Sequence, residues 1–151
     1  MPSKSRTLMY FLLAVLLASV LGTVLQTQFN LANLQALGAP MPMTVRLQTT
    51  GLDLLGFSPT FAVLVILGFV FALPAASLLS RHWPVARWAI FALAGALAVL
   101  VAMALVNALL PMPTLIGANR SLAGTLGLMA CGSLGALLFA MLGRRSASVH
   151  S

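Results

Sequence analysis

Residues 88–110, WAIFALAGALAVLVAMALVNALL, form a run without a single charged side chain. An α-helix needs roughly 20 apolar residues to cross the hydrocarbon core of a bilayer, and this run is long enough. Backbone N–H and C=O groups in lipid must bond to each other, which a helix achieves within one segment. The run therefore predicts a transmembrane helix.

Three further apolar runs predict three more spans: Leu8 to about Leu25, Phe61 to Leu79 and Leu122 to Leu142. The first is longer than the roughly 7–15 residues of a signal-peptide core and lacks an Ala-x-Ala site, which favours an uncleaved helix. We predict an all-α membrane protein, a four-helix transmembrane bundle with a short amphipathic segment in the first outer loop. Its single transmembrane domain covers 1–151, with spans at about 8–28, 59–80, 88–110 and 121–143 and an outer loop at about 29–57.

The composition agrees with lipid as the solvent. Hydrophobic residues make up 61% of the chain and charged residues 6%, whereas soluble domains carry about 25% charged residues. The net charge of +7 does not indicate nucleic-acid binding, because the basic residues stand singly or in pairs between apolar runs.

These basic residues predict the topology instead. Six of the eight fall on one side of the predicted spans and two, Arg46 and Arg120, on the other. The six are Lys4, Arg6, Arg81, Arg87, Arg144 and Arg145. The positive-inside rule then places both termini in the cytoplasm, with the lipid bilayer as a partner and no nucleic acid.

Several residues are expected to mark helix ends. Ser58–Pro59 is typical of an N-cap followed by proline at the first helical position. Pro74 should kink or end the second span. Asn119 or Ser121 is placed to cap the fourth span, and Arg144–Arg145 to stop it.

The first outer loop contains helical spacing of its own. Leucines and amides alternate over Asn30–Leu37, which predicts a short amphipathic helix at the interface that ends before Gly38. A second turn is predicted over Thr50–Leu55, where Thr50 and Asp53 have the spacing of a capping box.

Small residues follow two adjacent rows of the fourth span and predict a close helix interface. Small side chains let membrane helices approach each other. We expect the fourth span to pack tightly against the third, as a compact bundle or as an interface for another subunit. The predicted packing residues are Gly124, Gly127, Cys131, Gly132, Gly135 and Ala136.

Chemistry-bearing residues are scarce, which predicts that the chain is not an enzyme and holds no cofactor. Asp53 is the only acid in the sequence, and no Glu is present for a proton-coupled small multidrug transporter. His82 and His150 fall on the opposite side of the predicted membrane from Asp53. Cys131 is interpreted as a packing residue.

Four polar or charged residues remain as candidates for other roles. Asn107 is expected to bond to a neighbouring helix or, alternatively, to line a small polar path. Arg46 and Arg120 are interpreted as lipid-phosphate ligands, with pairing to Asp53 or binding of an anionic ligand as alternatives.

A Pro-Met-Pro motif occurs twice on the predicted outer side and brings in three methionines, Met41, Met43 and Met112. Thioethers suit Cu(I), so these residues are a candidate copper site. The alternative is a stiff apolar connection, in which methionine fills gaps.

The loop sequence QTQFNL at 26–31, QALG at 35–38 and TTGLDLLGF at 49–57, together with four spans, resembles small uncharacterised inner-membrane proteins of Gram-negative bacteria. The resemblance implies a bacterial inner (plasma) membrane as the location, but no activity. Our first hypothesis is a non-enzymatic accessory or assembly subunit of an inner-membrane complex, associated with another membrane protein or with itself. The alternative is a small oligomeric transporter or channel, with a metal such as copper as one candidate substrate.

Overall fold

The computed structural model describes residues 3–110 and 120–148, and these form helices with no strand among them. The helices are α1 (Lys4–Ala36), α2 (Met43–Gly56), α3 (Ser58–His82), α4 (Arg87–Leu109) and α5 (Leu122–Ser148), with a 3₁₀ turn at Pro84–Ala86. Four of them, α1, α3, α4 and α5, are long and apolar enough to cross a membrane, α4 together with its preceding turn. The predicted fold class is confirmed: the chain is a multi-pass membrane protein built as an α-helical bundle.

The four long helices form a ring in the order α1, α5, α4, α3. The last helix, α5, packs between α1 and α4, while α3 contacts both α4 and α1, and α2 lies on α1 and α3. Large side chains fill the interior of this ring, namely Phe61, Phe69, Leu73, Phe91, Met103 and Leu128, all at most 2% exposed. Leucine and valine cover much of the outer surface, which suits contact with acyl chains.

Glycine permits the tightest helix contact, between α4 and α5. A Cβ added at Gly132 would lie against the carbonyl oxygen of Gly95, and one added at Gly95 would lie against that of Gly132. The two backbones therefore touch directly. This is how membrane helices associate where lipid removes the hydrophobic drive for them to do so.

The first helix is longer than predicted, because Asn30–Leu37 does not form a separate interfacial helix. The residues 30–36 continue α1 without interruption, and the helix ends at Ala36, two residues before Gly38, which has a φ of 91°. No glycine or proline precedes Gly38 in that stretch to break the helix. At about 1.5 Å per residue, the 33 residues of α1 measure about 50 Å, against about 30 Å of hydrocarbon.

The amphipathic segment of the outer loop is present, but it is α2. The prediction of a turn opening at Thr50 was wrong, because α2 already begins at Met43 after Pro42. Thr50 is therefore inside a helix, where its hydroxyl donates to the carbonyl of Arg46 at 2.7 Å rather than capping a helix end.

Several helix ends differ from the predicted ones. Phe57 rather than Ser58 is the N-cap of α3, and its helical backbone lets α3 follow α2 almost directly. Pro74 lies within α3 and does not end it. The predicted stop at Arg144–Arg145 is passed, since α5 runs to Ser148. Ser121 does cap α5, accepting the Gly124 N–H at 3.0 Å.

Candidate functional site

Polar side chains collect along one face of α1 toward its outer half. Ser19, Thr23 and Thr27 follow each other at steps of four residues and are at most 1% exposed. Thr23 Oγ1 donates to the Ser19 carbonyl at 2.7 Å, and Thr27 Oγ1 lies 2.9 Å from the Thr23 carbonyl. Hydroxyls that bond back to the preceding turn remain satisfied inside a helix that lipid surrounds.

Thr27 connects this face to the only acid of the chain. Its Oγ1 lies 2.7 Å from Asp53 Oδ2 on α2, where the hydroxyl donates to the carboxylate. A hydroxyl has one proton, so Thr27 divides it between the Thr23 carbonyl and Asp53. Hydrogen bonds to a carboxylate are about twice as strong as neutral ones, which favours the bond between the helices.

Arg46 fastens the opposite end of α2 to α1. Its Nη1 donates to Gln28 Oε1 at 3.2 Å, and its Nη2 donates to Gln35 Oε1 at 2.6 Å. Gln28 Nε2 in turn donates to Thr50 Oγ1 at 3.1 Å. Because Gln28 and Gln35 are seven residues apart, they share one face of α1, and a single guanidinium spans both.

We call these six residues the polar seam: Thr27, Gln28 and Gln35 on α1, with Arg46, Thr50 and Asp53 on α2. Later residues of α2 bond to earlier residues of α1, so the two helices run antiparallel as a hairpin. The seam residues of α2 recur after four and three residues, which places them on one face.

The other face of α2 is apolar and turned away from the bundle. Leu47, Leu52 and Leu55 are 67%, 63% and 81% exposed. A surface helix of a soluble protein has the reverse arrangement, with its apolar side against the core. The orientation of α2 therefore fits a helix that offers leucine to lipid or to a partner and bonds its polar side chains to α1.

The two seam charges, Arg46 and Asp53, do not pair with each other. Within residues 3–110, each bonds to neutral groups of α1: Arg46 to two glutamines and Asp53 to Thr27. Together these bonds fasten α2 to α1.

Two buried polar atoms lie beside the seam without a hydrogen-bond partner among the described residues. They are Ser19 Oγ and Gln26 Oε1, on side chains that are 1% and 6% exposed. Such groups are few in folded proteins, and ordered water commonly satisfies them. Two further atoms of this kind, Arg87 Nε and Ser146 Oγ, lie on α4 and α5.

The remaining polar candidates do not join the seam. Asn107 is half-buried near the outer end of α4, and within the described ranges no hydrogen bond of its amide is recorded. Arg120 is exposed directly before Ser121, the cap of α5.

The predicted copper ligands are not brought together as a described cluster. Met43 is the first residue of α2 and is 68% exposed, and Met41 lies half-buried two residues before it. Met112 lies outside the described residues. Within the described ranges, no three His, Cys, Asp or Glu side chains are grouped to hold a metal ion.

The predicted packing residues of α5 face two different neighbours. Gly132 and Ala136 contact Gly95 of α4, whereas a Cβ at Gly135 would lie 2.7 Å from the Ala14 carbonyl of α1. A Cβ at Gly127 would meet a Leu25 methyl group, also on α1, at 2.6 Å. Gly124 and Cys131 are likewise buried. These small residues are thus used within the chain, on both sides of α5.

Sequence reasoning missed four members of the seam: Thr27, Gln28, Gln35 and Thr50. The spacing of Arg46, Thr50 and Asp53 could have indicated one polar helix face, as could Thr23 with Thr27. Ser133 of α5 donates to the Ala92 carbonyl of α4 at 2.8 Å. No sequence pattern predicts this hydrogen bond, because a single serine shows no repeated spacing.

Comparison with known proteins adds no identity to this geometry. No family model matches the chain, no curated protein matches it, and no solved structure matches it.

Proposed function

We propose that this integral membrane protein is a non-enzymatic accessory or assembly subunit of an inner-membrane complex, with both termini in the cytoplasm. The observation that carries the proposal is the hairpin of α1 and α2, which extends past the bundle and exposes leucine. The partner would be another membrane protein that covers this surface.

The exposed leucines at the tip of the hairpin lie beyond the hydrocarbon. If the core begins near Leu8, about 30 Å of helix ends near Gln28, so the last eight residues of α1 rise about 12 Å above it. Leu34, Leu37 and Leu47 are 46%, 85% and 67% exposed there. Exposed apolar surface outside lipid commonly marks an interaction site.

The polar seam supports this proposal because it holds the tip in one conformation. Its bonds from Arg46 to Gln28 and Gln35 lie along the projecting part of α1. A surface that is already ordered loses less conformational entropy on binding, which strengthens association.

The filled interior supports the accessory subunit over the transporter. Phenylalanine, leucine and methionine occupy the centre of the ring. The grooves found among the described residues are lined mainly by apolar side chains. A transport path through a single copy would need polar or water-filled space along the full length of the bundle, and among the described residues large apolar side chains interrupt it.

The test is purification of the tagged protein from its native membrane in mild detergent, followed by mass spectrometry. We expect a stoichiometric membrane partner. Changing Leu37 and Leu47 together to asparagine should release that partner and leave the protein itself folded, because both side chains are exposed.

Leu109→Asn is the matched control. Leu109 is 79% exposed at the outer end of α4, and α4 lies diagonally across the ring from α1. It should keep the partner. Repeated recovery of the native chain alone, active by itself, would refute the accessory role, and equal loss in both variants would refute the hairpin as the contact.

A further inference from the structure

A groove between α1 and α3 opens at the end of the bundle that carries the N-terminus. Its volume is about 530 Å³, and its walls come from both helices with Phe139 of α5 also lining it. The lining includes Lys4 and Thr7 on α1, Val70 and Ser77 on α3, and several aromatic and aliphatic side chains.

Polar and apolar residues are separated along the depth of this groove. Lys4 is the first residue of α1, and Ser77 lies five residues before the end of α3. Phe69 lies eight residues deeper than Ser77 along α3, which is about 12 Å. The groove therefore has a cationic and hydroxyl-bearing mouth and an apolar inner part, the polarity of a phospholipid.

Two cations, Lys4 at the mouth and Arg81 just beyond it, have no acidic partner among the described residues. Arg81 lies one turn beyond Ser77 on the same face of α3, and both Lys4 and Arg81 are exposed. The only acid of the sequence is Asp53, which bonds to Thr27 in the seam. Since the described residues offer Lys4 and Arg81 no anion, another molecule can supply one.

We propose that this groove binds an anionic phospholipid, with its phosphate against Lys4 and Arg81 and an acyl chain along Val70 and Phe69. Basic side chains near a membrane surface contribute about 1 kcal/mol each to binding of anionic lipid. The groove adds a defined position for the acyl chain of the lipid, which distinguishes a binding site from a diffuse positive surface.

The experiment reconstitutes the full chain in vesicles of phosphatidylglycerol and phosphatidylcholine at equal amounts. The protein is then extracted in mild detergent, and the retained lipids are counted by native mass spectrometry. The native protein should retain phosphatidylglycerol in preference. Lys4→Gln and Arg81→Gln should each lower that preference about fivefold.

Two matched controls separate the site from general charge and general bulk. Arg144→Gln removes the same charge from an exposed residue of α5 and should leave the preference unchanged. Val70→Trp should block retention of both lipids, whereas Val63→Trp, on the same face of α3 two turns away, should not.

Equal retention of both lipids by the native protein would overturn the proposal. An acidic helix of a partner protein would then be the expected occupant of the groove. An equal effect of Arg144→Gln would also overturn it, because charge alone would then explain the preference. So would a Val70→Trp variant that retains lipid normally.

Discussion

Replacing Gly132 by alanine is expected to separate α4 from α5 and destabilise the bundle. The added Cβ would collide with the carbonyl oxygen of Gly95, which belongs to the backbone and cannot rotate away. It would also lie 2.5 Å from Val99 Cγ2, which is 0.9 Å short of the 3.4 Å at which ordinary contact begins. Overpacking of this kind costs about 1–3 kcal/mol.

The helical preference of alanine offsets part of this cost. Alanine gains at most about 1 kcal/mol over glycine inside a helix. Because the clash involves backbone, we expect an overpacking cost near the upper end of its range and a net loss at Gly132 of about 2 kcal/mol. Gly143 is the control on the same helix, because the nearest atom to its added Cβ is Arg87 Nη2 at 3.9 Å. Gly143→Ala should therefore be neutral or slightly stabilising.

The measurement is equilibrium unfolding in mixed micelles with increasing dodecyl sulfate, followed by tryptophan fluorescence. Gly132→Ala should unfold at a lower denaturant fraction than the native chain, and Gly143→Ala at an equal or higher one. Equal stability of the two variants would refute the direct backbone contact between α4 and α5.

Three further predictions concern the hairpin and the topology. In a double-mutant cycle of Thr27→Val and Asp53→Ala, unfolding in mixed micelles should give a coupling free energy of about 1–2 kcal/mol, since the hydrogen bond between the two side chains is charge-assisted. A coupling free energy of zero would mean that this hydrogen bond does not form. Arg46→Lys should raise the rate of amide hydrogen exchange in α2 but not in α4, because an ammonium group cannot span both glutamines. An unchanged exchange rate in α2 would show that the Arg46 guanidinium does not hold α2 to α1. With the native cysteine replaced by serine, Val85→Cys should react with an impermeant maleimide only from the cytoplasmic side and Leu37→Cys only from the opposite side, and the reverse pattern would invert the proposed topology.

The spans could be predicted from sequence because lipid imposes a strict requirement on them. A run such as Trp88–Leu110 has no stable alternative in a membrane, so its apolar length alone indicates the helix. The end of α1 could not be placed as well. Beyond Gln28 amide side chains interrupt the apolar residues, and the pattern does not distinguish a continued helix from a separate one before Gly38.

The seam was harder to predict because it depends on how two helices meet. The residue types of Thr50 and Asp53 fitted a helix cap, and the local pattern contains nothing to exclude that interpretation. Their use became clear only once α2 began at Met43 and folded back along α1. For the small residues of α5, the sequence indicated which residues pack closely against another helix. It did not indicate that Gly135 faces α1 while Gly132 faces α4.

The place of α5 between α1 and α4 has a consequence for biosynthesis. The seam joins residues 11 to 26 positions apart, so the hairpin can form while the ribosome is still translating α3. The ring cannot close at that stage, because the glycines of α5 that contact Gly95 and Ala14 have not yet been synthesised. In a chain truncated before α5, the small-residue faces of α1 and α4 would be uncovered and accessible to membrane proteases. Assembly of the bundle therefore requires that translation be complete.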